Sequence, residues 1–152
     1  MLKKMISYFR GESDTDAKWA DTPYAAGKDG YASPDLVELL ISAQTLRRAR
    51  IKEIMQGSLY GGPGYTKETA WVITISNATA VDCEYHMLRE LFQNLSLPLN
   101  GSMKSIEYNR LKQELISDDD RHYDVLTIRI VAGHKDYIIE QWFDITKHFS
   151  AI

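Results

Sequence analysis

The chain has 152 residues, 44% hydrophobic and 26% charged, with a formal net charge of −3. That length suits one domain, able to bury about two-thirds of the surface its unfolded chain exposes without help from a metal. The acidic balance excludes whole-surface attraction to phosphate backbones, and the lone cysteine, Cys83, excludes an intramolecular disulfide and suits a reducing compartment.

Residues 1–10 begin like a secretory leader, but Arg10, Gly11 and Glu12 cut the apolar stretch short. The longest later apolar run, Leu39-Leu40-Ile41, is far below the roughly 18 residues a membrane span needs. A cytoplasmic location without membrane contact is the expectation. Residues 2–10 fit a short amphipathic helix. Residues 11–34 show no periodicity and read as a long irregular loop, either mobile or functional. Ser33-Pro34 then opens a helix over about 34–56, with Ser33 as its cap and Gly57 as its end. Leu36, Leu40, Ala43 and Ile54 share one face of it. Arg47 and Arg50 fall inside the same arc. A helix break near Thr45, buried carboxylate partners, or a surface left open for another molecule would each resolve that conflict.

Gly57 to Thr66 is a glycine-rich turn region, and Ala70 to Ser76 is a β-branched run that predicts a strand. Asn77-Ala78 turns the chain, and Thr79 with Asp82 fits a capping box. A helix over about 80–95 carries a stripe of Val81, Tyr85, Leu88, Leu91, Phe92 and Leu95. A further helix is predicted over about 103–116, where Tyr108, Leu111 and Leu115 align. Asp118-Asp119-Asp120 ends it. Tyr123–Ala132 and Tyr137–Ile145 read as strands joined by a short hairpin connection, with a helical tail from Thr146. The expected fold is a single α+β domain over 1–152, a two-layer helix-on-sheet arrangement in the order α-α-β-α-α-β-β. Its sheet is small and mainly antiparallel, ending in a C-terminal hairpin. Three strands leave two edges, which makes a homodimer through a sheet edge one expected mode of association.

Cys83, His86 and Glu90 follow one another at i, i+3 and i+7 on the helix face opposite the stripe, in the pattern of thiolate, base and orienting carboxylate. An outward helix face supplies neither oxyanion donors nor a pocket, so a solvated polar face is the competing reading. The acidic run Asp118, Asp119 and Asp120 lacks the alternation of a calcium loop and suits a turn or an acidic patch for a partner. The four histidines make no zinc pattern, and the glycines at 57–64 follow a helix rather than opening one, so neither a metal nor a nucleotide cofactor is implied. Arg47 to Lys52 is the one basic cluster, and Arg47 and Arg50 within it are candidate contacts. Tyr24, Tyr31, Tyr60 and Tyr65 sit in small-residue loop sequence, a composition that binding loops favour.

These features favour a non-catalytic protein-binding module, most concretely a stoichiometric inhibitor of the immunity-protein type that neutralises a toxin or an enzyme. Two alternatives belong to other classes. One is a small enzyme whose site, built around Cys83 and His86, assembles only in the fold. The other is a nucleic-acid-associated regulator using Arg47 to Lys52.

Overall fold

The computed structural model describes residues 30–74 and 80–150. The expected helix over 2–10, most of the irregular loop, Tyr24, the Asn77-Ala78 turn and Thr79 lie outside the described residues.

Pro34–Ala43 forms α1, with the Ser33 hydroxyl accepting from the Leu36 amide at 3.3 Å. The helix stops at Gln44, and Thr45–Met55 forms a separate α2. The single predicted helix over 34–56 is therefore two. Gln44 is buried at the junction and holds it by donating to the Leu91 carbonyl and accepting from the Tyr65 hydroxyl. The break turns α2 so that only Ile51 of its side chains is buried.

Leu59–Gly61 (β1) and Trp71–Ile73 (β2) pair antiparallel, and Gly62 and Gly64 lie in the loop between them. Both glycines have positive φ and press on the buried Trp71 ring; a Cβ at Gly64 would stand 2.4 Å from the Trp71 Cδ1. The glycine-rich stretch is a clamp on an indole. Ala80–Phe92 forms α3, followed by Ser96–Leu99 (β3), Ser102–Asp118 (β4), Arg121–Ala132 (β5), Lys135–Asp144 (β6) and the short Thr146–Ser150 (α4).

The sheet runs β1-β2-β6-β5-β4-β3, with every pair antiparallel except β2–β6. This corrects the expected fold. Strand predominates among the described residues, and six strands make one curled, mixed half-barrel rather than a small antiparallel sheet under a helical layer. The predicted helix over 103–116 is the middle of β4. Its lysines, glutamates and leucines favour a helix locally, but pairing with β5 along Ile106–Asp118 outweighs that preference. A bulge between Arg110 and Lys112 also breaks the two-residue alternation that marks a strand in sequence. The C-terminal hairpin of β5 and β6 stands where the alternating runs place it.

One face of the sheet carries the main core: Leu40, Trp71, Ile73, Met87, Leu91, Phe92, Leu126, Ile128, Ile130 and Phe143 are all buried. Glu84, Met87, Leu88, Leu91 and Leu95 are the buried line of α3 and its continuation. The stripe is thus rotated from the expected one: Tyr85 is half-buried, while Cys83 and Glu84 turn inward. A smaller cluster of Ala70, Tyr123 and Val125 forms on the sheet's other face. Among the described residues no helix is long and apolar enough to cross a membrane.

Candidate functional site

Of the cysteine, histidine and glutamate of α3, only His86 and Glu90 meet, and Cys83 is turned away from them into the core. Cys83 is buried in the main core, and burial followed by the neighbouring Glu84 pushes its thiol up to about 11. That is the opposite of the depressed value a nucleophilic thiolate needs. His86 is exposed on another face of the helix, 3.8 Å from Glu90.

The acidic run is the β4–β5 turn. Asp119 takes a positive φ, and Asp118 is paired with Lys67. Lys67 also stands 5.9 Å over the Tyr123 ring. Among the described tyrosines, Tyr65 is buried and bonded to Gln44. Tyr31 is half-buried and bridges to Ile138, with its hydroxyl 3.5 Å from Glu140; burial and that carboxylate push it up to about 12. Two of the three described loop tyrosines therefore pack back onto the domain, and Tyr60 on β1 is exposed.

The arginines are where the structure departs most from a solvated helix face. Arg47 reaches across to the end of α3, donating to the carbonyls of Glu90, Gln93 and Asn94 at 3.3, 2.5 and 3.2 Å. Its charge sits where the helix presents unpaired carbonyls and partial negative charge. Arg48 caps α1 in the same way, donating to the Ile41 carbonyl at 2.6 Å. The break at Gln44 and these carbonyl partners together resolve the conflict on the helical wheel; no buried carboxylate takes part.

Arg50 is left over. With Arg47, Arg89, Glu90, Gln93 and Asn94 it lines an open cleft of about 280 Å³ where α2 meets the end of α3. Arg89 was not legible as a partner, because its place beside Arg50 depends on how α2 crosses α3. Neither Arg50 nor Arg89 has an ion-pair partner among the described residues. Beside the cleft, Leu46 is 83% exposed and Ile54 is 59% exposed. Leu46, Arg50 and Ile54 are spaced i, i+4, i+8, so they share one face of α2. The cleft is smaller than the roughly 300–1,000 Å³ typical of small-molecule sites.

A second unforeseen feature is Glu84. It is 0% exposed, and neither carboxylate oxygen has a well-aligned hydrogen-bond partner. Burial above all, then the Asp124 carboxylate, which favours the protonated form as an acceptor and through its charge, push its carboxyl up to about 10. Asp124 is itself buried and accepts from the Gln113 amide at 2.6 Å, while Tyr85 donates to Gln113 at 2.8 Å. The signal was present in sequence: Glu84 lies four residues before Leu88 and seven before Leu91, on the stripe itself. At zero exposure it is a buried acid rather than a group that meets a substrate. No group of three or more metal-ligating side chains gathers among the described residues.

No known family, curated protein or solved structure matches this chain.

Proposed function

We propose that this chain is a non-catalytic protein-binding module that docks an acidic partner surface on α2 and the end of α3. The observation that carries the reading is the convergence of Arg47, Arg50 and Arg89 on one cleft beside the exposed Leu46 and Ile54. Exposed apolar side chains next to unpaired guanidiniums are the composition of an interface, where arginine is enriched and apolar anchors supply the energy. Arg47 is already committed to the α3 carbonyls, so Arg50 and Arg89 are the arginines free to pair with carboxylates. The partner is a protein bearing carboxylates around an apolar side chain. Stoichiometric inhibition of a toxin or an enzyme is the most concrete form of such binding.

This relocates the binding surface from the tyrosine loops and the acidic run, where Tyr31, Tyr65 and Asp118 are engaged within the domain. A photo-cross-linking side chain at Leu46 in the native source should yield one predominant adduct of one-to-one stoichiometry. Arg50→Glu with Arg89→Glu should abolish that adduct while leaving the fold intact by circular dichroism. An adduct unaffected by both charge reversals refutes the reading. Nucleic acid bound at low salt through the same arginines, with affinity falling steeply as salt rises, would replace it.

A further inference from the structure

Among the described residues, the outer edge of β4 has no partner strand over most of its length. β3 covers only Ser102–Ser105, and the Leu95 carbonyl accepts from the Ile106 amide. Beyond that point, Glu107 to Asp118 pair with β5 on one side. Among the described residues no strand pairs with the other. Such an edge is a row of unpaired donors and acceptors. Leu111 and Leu115 stand on it 48% and 52% exposed, and Lys112 and Glu114 form an ion pair along it at 3.5 Å.

We propose that this edge pairs antiparallel with the same edge of a second copy of the chain, about a two-fold axis passing through Gln113. In that register Lys112 of each copy faces Glu114 of the other. Residues directly opposite in an antiparallel pair project to the same face and interact. Lys112 and Glu114 share one face, since they lie beside Thr127 and Val125 of β5. Their two intrachain pairs would close into a ring of four alternating charges.

The register is selective. Moving the axis one residue either way, to Lys112 or to Glu114, stacks lysine on lysine or glutamate on glutamate, which opposes pairing. Leu111 is the bulged residue, without a partner on β5, and under the two-fold axis this irregularity ends the regular ladder at both ends of the contact. Pairing is therefore confined to a short two-fold contact and does not grow into a fibre. Bulges and lysines also serve elsewhere to keep edges apart. What distinguishes this edge is that its charges alternate in sign and complement themselves. A contact this short falls at the weak end of protein interfaces, so association depends on concentration.

Sedimentation velocity of the full chain from low micromolar to near-millimolar concentration tests the proposal. The wild type is expected to pass from monomer to dimer across that range. Lys112→Glu should weaken dimerisation by roughly tenfold, because two attractive pairs become repulsive. Adding Glu114→Lys should restore it. Gln113→Cys should cross-link to itself through a short bismaleimide, whereas Glu107→Cys should not; Cys83 is buried and contributes little background. A wild type that stays monomeric, a Lys112→Glu variant that associates as well as the wild type, or equal cross-linking at both cysteine positions would overturn it. Arg50→Glu with Arg89→Glu leaves this association unchanged, which separates it from partner docking on α2.

Discussion

Replacing Glu84 with glutamine isolates the cost of the buried acid. In the folded chain the carboxyl is pushed up to about 10, from an ordinary value of 4.5. Between those limits the folded state holds a proton that the unfolded state has released. The stability this group contributes is full below its unfolded value and is lost as the pH rises toward its folded value. Each pH unit in that window removes about 1.4 kcal/mol. From about pH 5 to about pH 8 the loss reaches roughly 4 kcal/mol, set against the 5–15 kcal/mol that holds a typical domain together. Glutamine keeps the shape and a donor toward Asp124 but has no proton to lose. The stability of Glu84→Gln relative to the wild type should therefore rise by about 3–4 kcal/mol between those two pH values. Urea unfolding followed by tryptophan fluorescence measures it at each pH. A difference that stays constant across the range would refute the claim that Glu84 is folded as a neutral acid.

Gly64→Ala should destabilise the domain by about 2–4 kcal/mol, because φ is +85 there and the new Cβ would meet the Trp71 ring and the Gln141 amide oxygen. Calorimetry showing an unchanged melting temperature would contradict the clamp. Arg47→Ala should cost about 1–2 kcal/mol by leaving the Glu90 carbonyl of α3 and the Gln93 and Asn94 carbonyls just past it without their donor. Denaturant unfolding that matches the wild type would remove that role. Cys83 should react with a disulfide reagent at mildly alkaline pH at least about 100-fold more slowly in the native than in the unfolded chain, since burial holds the thiol up to about 11. Equal rates would show the thiol to be open.

How much of this was legible depended on where each signal was local. β5 and β6 alternate cleanly because both lie inside the sheet, with Leu126, Ile128 and Ile130 facing the core in turn. Ser33 as a cap is likewise a local matter of one hydroxyl and one amide. β4 was unreadable for the opposite reason. Beyond Ser105 it pairs only with β5 among the described residues, it has few buried side chains and a bulge at mid-length, and its polar sequence carries the propensities of a helix. The conflict of Arg47 and Arg50 with their apolar arc was visible, but its resolution required knowing that α2 ends up against the α3 terminus. Glu84 was hidden by habit of reading: a carboxylate on an apolar stripe is assigned to solvent, and here it is buried.

The arginine cleft is the claim on which the functional account rests, and isolation of the chain from its native source addresses it most directly. The wild type should return with one stoichiometric partner that added salt weakens, and the chain carrying Arg50→Glu and Arg89→Glu should return without it. Recovery of the same partner in the same amount from both chains would contradict the account.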